Sequence, residues 1–184
     1  EGEPNLRHWF RSTAAHNTVS VDGADQTPYA RGRSALPSAE ARLLRASGDE
    51  LVAEVRSPVY EAIHRRRVIF TGRYWLIEDV LTGERPHRYD LRWHLAPGRV
   101  QPWSGGVTSP TVAITIFGAR SIALEDGWIS PRYGVREPAP VVSAVATGTG
   151  ARFITLLAPR EPGAAVPTLS VFGDTVYVGD ERIR

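Results

Sequence analysis

From residue 18 to residue 178 the chain is a series of short apolar–polar alternations, each closed by Gly, Pro or Asp, with no long stretch of helical period. A period of two puts alternate side chains on opposite faces of a pleated strand, so such a chain has to fold by pairing strands. Thr18-Val19-Ser20-Val21 alternates and then meets Asp22-Gly23, a strong turn signal. Residues 51–56 form the next strand candidate and stop at Ser57-Pro58. Residues 62–71 and 74–81 flank Gly72-Arg73 as a hairpin, with Thr82-Gly83-Glu84 closing its second strand. Residues 87–95 follow, with Tyr89, Leu91, Trp93 and Leu95 on one face and Arg88, Asp90, Arg92 and His94 on the other. Later candidates are 111–117, 121–125, 141–147, 152–158, 168–172 and 175–178, the last two joined by Gly173-Asp174. Residues 39–45 suit a short helix, but their place within a β series favours strand. Glu137-Pro138-Ala139-Pro140 reads as a loop between strands. The expected fold is all-β: an antiparallel β-sandwich of two large twisted sheets with little or no helix, in a single domain over 1–184.

Composition supports a packed domain. The 184 residues suffice for a substantial core, and 42% hydrophobic with 23% charged residues excludes a disordered chain. No run approaches the roughly 18 apolar residues of a membrane span. There is no Cys, so disulfides and thiolate metal sites are excluded. The net charge of +2 is modest, and neither nucleic acid nor membrane is an expected partner. Every strongly basic residue is Arg, whose guanidinium pairs bidentately with carboxylate or sulfate. Composition alone gives that preference no specificity.

Five histidines are the natural candidates for chemistry: His8, His16, His64, His87 and His94. His16 stands just before a strand, where an imidazole can serve as one metal ligand or simply close a loop by hydrogen bonding. No second ligand stands at zinc spacing beside it. In Ile63-His64-Arg65-Arg66-Arg67, alternation places Arg65 and Arg67 on one face and His64 and Arg66 on the other. That stripe suits an anionic polysaccharide, or a solvated face paired with Glu78 and Asp79 of the next strand. His94 reads as a structural histidine, and His8 and His87 carry no special signal. Trp75 and Trp93 lie among apolar neighbours and read as core. Trp103 and Trp128 sit near Gly and Pro, where they can stack on sugar rings. No carboxylate pair demands a glycosidase, and no Gly-rich phosphate loop or G-x-S-x-G elbow occurs.

The run Trp9-Phe10-Arg11-Ser12-Thr13-Ala14-Ala15-His16-Asn17-Thr18-Val19-Ser20-Val21-Asp22-Gly23 resembles the C-terminal domain of the heparinase II/III-like family of bacterial polysaccharide lyases. Later segments are similar in the same order: His64-Arg65-Arg66, Tyr74-Trp75-Leu76-Ile77-Glu78-Asp79, Arg92-Trp93-His94-Leu95-Ala96-Pro97 and Trp128-Ile129-Ser130-Pro131-Arg132-Tyr133-Gly134. The resemblance implies a β domain that follows a helical (α/α) toroid, with substrate lying between the two. The implied reaction is β-elimination at a uronic acid: a base takes the proton beside the carboxylate, the enolate is stabilised, and an acid protonates the leaving oxygen.

In the family pattern an H-x-H segment and a following Asp precede the A-H-N-T run. They supply the catalytic His and two zinc ligands, and His16 maps onto the third. On this reading both lie upstream of Glu1. The expectations are therefore a cleft-forming domain with no catalytic residue of its own and inactive when isolated, His16 as a zinc ligand only in the intact parent, and no cofactor in this chain. Expected substrate contacts are Arg65, Arg67, Trp103 and Trp128. Expected partners are the toroid, acidic polysaccharide and, through exposed strand edges or apolar surface, a second copy. An acidic-polysaccharide-binding or purely structural β-sandwich module is the alternative. Compartment stays open, with a periplasmic or secreted location favoured over a cytoplasmic one.

Overall fold

A computed structural model describes residues 6–28, 36–161 and 163–183. A short helix, α1 (Leu6–Arg11), and a 3-10 turn (Thr13–Ala15) precede thirteen strands. These are β1 (Val19–Val21), β2 (Glu40–Ser47), β3 (Glu50–Arg56), β4 (Ile63–Phe70), β5 (Trp75–His94), β6 (Gln101–Trp103) and β7 (Gly106–Thr108). They continue with β8 (Val112–Phe117), β9 (Ser121–Ile129), β10 (Glu137–Pro159), β11 (Leu169–Phe172), β12 (Thr175–Val178) and β13 (Glu181–Ile183). Among the described residues no helix is long and apolar enough to cross a membrane.

The fold is organised by β5 and β10, which pair antiparallel along nearly their whole lengths. The first half of β5 and the second half of β10 belong to a layer ordered β2-β3-β4-β5-β10-β8-β7-β6. The second half of β5 takes β1 on its free side, and the first half of β10 takes β9. Hydrogen bonding thus joins ten strands into one sheet. One apolar cluster nonetheless holds Ile77, Leu81, Ile114 and Phe153 from the first layer with Val19, Tyr89, Leu91, Trp93, Val142 and Ala144 from the second. The long pair therefore folds over on itself, and the two layers face each other as the all-β alternation requires.

The fold-over sits where residues 83–86 of β5 stand opposite Thr149 alone, between the pairs Thr82–Gly150 and His87–Gly148. A bulge of this kind bends the strand and increases its twist without ending it. Two glycines make room. A Cβ on Gly83 would lie 2.9 Å from the His87 ring, and one on Gly150 would lie 2.9 Å from the Leu81 carbonyl oxygen. The break expected at Thr82-Gly83-Glu84, and the separation of 141–147 from 152–158, are therefore corrected. Each is a bend inside one strand.

Glu137-Pro138-Ala139-Pro140 is likewise strand, paired with β9, and not the expected loop. Pro is tolerated because the Pro140 carbonyl accepts from Leu95 N–H on the β5 side, past the end of β5. In an antiparallel pair a residue's N–H would point the same way as its carbonyl, so the missing donor breaks no bond to β9.

A separate three-stranded sheet, β11-β12-β13, covers the outer face at one end. Its Val176 and Val178 pack on Ile69, Leu76, Ile154 and Leu156. At the far edge the first layer extends beyond its cover. All of β2 is exposed, and Leu43, Leu51 and Trp75 are open to water, Trp75 resting against Phe70 with ring centroids 4.6 Å apart. The expectation that Trp75 is core is corrected: the alternation aims it at the apolar face, but the second layer ends short of it.

Candidate functional site

The A-H-N-T segment is fastened at both ends. Thr13 is buried, with its N–H donating to Asp25 Oδ1 at 2.7 Å and its hydroxyl accepting from Gln26 N–H at 2.8 Å. Downstream, Asn17 Oδ1 accepts from His94 N–H at 2.7 Å, and the Asn17 carbonyl accepts from Arg66 Nη1 at 2.6 Å. His16 lies between these anchors with its side chain in water. His94 Nε2 donates to the Ala14 carbonyl at 2.9 Å, which leaves Nδ1 with the lone pair in the neutral ring. Burial pushes His94 below its ordinary value, and the neighbouring Arg92 and His16 charges push the same way. Replacing Asn17 with Ala removes one of the acceptors that tie this segment to β5. It should cost about 1 kcal/mol in a urea titration and leave the His16 region more open to hydrogen exchange.

Behind Asn17 stands a buried ionic cluster. Asp79, fully covered, accepts from His64 Nε2 at 2.6 Å and from Arg66 Nε and Nη2 at 2.6 and 3.1 Å. Burial alone would raise the Asp79 carboxyl, but the His64 hydrogen bond and the Arg66 charge outweigh it and hold it below its ordinary range. The Arg66 guanidinium also lies 5.4 Å from the centre of the Trp93 ring. Asn17, Trp93 and His94 then line one side of a 430 Å³ cleft whose other walls include Pro97, Arg99 and Thr111.

A second buried imidazole lies at the bend of β5. His87, sealed from water, bonds Asp22 Oδ2 through Nδ1 at 2.7 Å and Glu61 Oε1 through Nε2 at 2.8 Å. Two carboxylates on the two ring nitrogens favour the imidazolium, so its pKa is raised, by the Asp22 bond first and then by that of Glu61. Asp22 also accepts from Arg88 N–H and is held below its ordinary value by that bond and by His87. This cluster was missed in the sequence. Its only visible sign is the Asp22-Gly23 turn, where Asp22 takes a positive φ of 52°.

The expected sugar-contacting residues are not brought together. Arg65 donates to Glu54, and Arg67 is paired with Glu50, so their partners come from β3. Glu78, the partner expected on β5, instead takes Arg152 at 2.7 Å. Arg65 and Arg67 share a concavity of about 450 Å³ with Arg56, Glu54 and Glu78, and each of its three guanidiniums is paired with a carboxylate. Trp103 is on the edge strand β6 and 42% exposed. Trp128 is on β9 in the other layer, half-buried beneath the Arg136 guanidinium at 4.0 Å. Among the described residues no three His, Asp or Glu side chains converge as a metal needs. The donors around His16 therefore do not fit a zinc site by themselves.

A family model described as "Heparinase II/III-like, C-terminal" matches residues 1–165. The chain belongs to this family. A search of curated protein sequences gave no match. Among solved structures, a heparinase III, the BT4657 gene product, superposes with a TM-score of 0.76 at 22% identity, covering 100% of this chain and 32% of that one. The heparan sulfate lyase HepC from Pedobacter heparinus gives a TM-score of 0.73 at 18% identity, covering 100% of this chain and 32% of that one. At such identities the likeness is one of fold. This heparinase II/III-like domain thus spans about a third of the length of the proteins it superposes on.

Proposed function

We propose that this chain is the cleft-forming β domain of a polysaccharide lyase that cleaves uronic-acid-containing polymers by β-elimination, and that it is inactive alone. The observation that carries the reading is the double anchoring of Asn17, which sets Asn17 and His94 in the wall of a cleft in a heparinase II/III-like domain, with the exposed His16 next to Asn17 in the chain. Proton abstraction beside a carboxylate needs a base, an enolate-stabilising group and an acid aimed at one sugar. The described residues supply imidazoles and a wall, and a second domain would supply the remainder. The exposed apolar strip of Leu43, Leu51 and Trp75 supports a partner-covered surface. Zinc bound to His16 would need further ligands from outside these residues. The ion pairs of Arg65 with Glu54 and of Arg67 with Glu50 make a free-standing polysaccharide-binding module the weaker reading.

The test is a lyase assay on this chain beside the same protein extended upstream, following ultraviolet absorbance of the unsaturated uronate product over a panel of acidic polysaccharides. Product from the extended protein alone is expected. Product from this chain alone would overturn the supporting role, and no product from either would overturn the lyase assignment.

A further inference from the structure

One basic pocket differs from every other arginine cluster described above, because no carboxylate balances it. Arg99, in the loop after β5, and Arg160, just past β10, line a concavity of about 200 Å³ with Gln101, Thr108, Ser109 and Gly163. No acid stands among its described lining residues, whereas the concavity at Arg65 and Arg67 contains both Glu54 and Glu78. Among the described residues neither Arg99 nor Arg160 forms an ion pair, although Glu161 is next in sequence. Arg160 spends one nitrogen, Nη2, on the Ala164 carbonyl at 2.6 Å, and its Nε is buried without a partner. A buried guanidinium donor left unsatisfied is costly, and an oxyanion is the acceptor its planar fork fits best.

Position and size define the ligand further. Arg99, Ser109 and Pro110 line both this pocket and the cleft that carries Asn17, Trp93 and His94, so the two share a wall. At about 200 Å³ the pocket is smaller than the roughly 300–1,000 Å³ of whole-ligand sites. It suits a substituent and not a complete sugar ring.

We propose that Arg99 and Arg160 form a subsite for the oxyanion substituent, sulfate or carboxylate, of an acidic sugar whose polymer runs on into the cleft. The path of the polymer rests on the lyase reading; the anion site itself does not.

The experiment is calorimetric titration of the chain with three oligosaccharides: a sulfated heparin hexasaccharide, an unsulfated oligouronate and neutral cellohexaose. Both charged probes should bind with an affinity that falls with salt, and cellohexaose should not bind. Arg99→Gln and Arg160→Gln should each weaken charged binding about tenfold, the loss expected for a charge-assisted hydrogen bond. Arg160→Lys, which keeps the charge but not the fork, should recover only part of it, and circular dichroism establishes that each variant is folded. Loss confined to the heparin probe assigns sulfate; loss confined to the oligouronate assigns carboxylate. Unchanged binding in both Gln variants, or loss produced by Arg65→Gln and not by Arg99→Gln, overturns the subsite. These readouts need no turnover, so a failed lyase assay and a failed subsite are separate results.

Discussion

Replacing Asp79 with Ala is expected to destabilise the domain by about 3 kcal/mol, the low end of what removing one partner of a buried ion pair costs. Asp79 is fully covered, and it alone among the described carboxylates serves both His64, whose side chain is 8% exposed, and Arg66. Without it the Arg66 guanidinium loses its counter-charge and the buried His64 Nε2 loses its acceptor. Arg66 keeps its bond to the Asn17 carbonyl and is partly open to water, which is why the low end applies. The folded-state pKa of Asp79 is lowered from an ordinary value of 3.8. Its contribution is therefore present above that value and lost as pH falls through the depressed one. The check is a urea titration at neutral pH, where the midpoint should fall with little change in slope. Asp79→Asn, which keeps an acceptor but no charge, should fall between wild type and Asp79→Ala. An Asp79→Ala midpoint within experimental error of wild type would show that the cluster does not hold the layer together. Hydrogen exchange adds a local readout, because loosening Arg66 should also loosen the backbone around Asn17.

The two faces of the alternating strands are legible in the sequence. Tyr89, Leu91, Trp93 and Leu95 are all buried on the side the period of two assigns to the core. Strand length is not legible, because Gly83 and Pro86 look the same whether a chain ends a strand or bulges out of one. The choice depends on Thr149, far away in sequence and standing alone across the ladder. Partner choice among charges is legible only in part, since Arg66 and His64 do take Asp79 of the next strand while the outer arginines do not take Glu78. Glu78 stands directly opposite Arg67, as the hairpin predicts, yet Arg152 from β10 claims it, while β3 brings Glu50 and Glu54 to the other side of β4. His16 was visible as a motif residue. What presents it was not, since Asn17 works through a strand backbone at His94 and a guanidinium at Arg66 that only the assembled layers bring near. The Arg99–Arg160 pocket joins a loop after β5 to the end of β10, and no local pattern announces it.

Stability should also fall on the alkaline side, through the histidine that sequence reading passed over. His87 joins three segments at the fold-over: the turn after β1 through Asp22, the approach to β4 through Glu61, and the bend of β5 itself. Arg85 stands 3.7 Å from Glu61, Arg88 donates its backbone N–H to Asp22, and the Tyr89 ring lies 5.9 Å from the imidazole. The ring is covered but lies just beneath the surface, so its two hydrogen bonds outweigh desolvation and raise its pKa from the ordinary 6.5. A raised folded-state value means that the bound proton stabilises the fold below 6.5 and that this contribution is lost as pH rises through the raised value. Asp22 and Glu61 are shifted down from 3.8 and 4.5, so their share is present above those values and lost in acid. The clamp is therefore strongest between about pH 4.5 and 6.5. His87→Gln, which can donate to only one carboxylate and carries no charge, should cost about 2 kcal/mol in that window. That is low in the range for hydrogen bonds to charged groups, because Asp22 is half-exposed. Urea midpoints for wild type and variant across pH 5 to about 9 should converge as wild-type His87 loses its proton. The other histidines are common to both proteins, so the difference between the curves reports the His87 cluster. Curves that stay parallel over the whole range would mean that the bend is held by Gly83 and the bulge, with the imidazole a passenger.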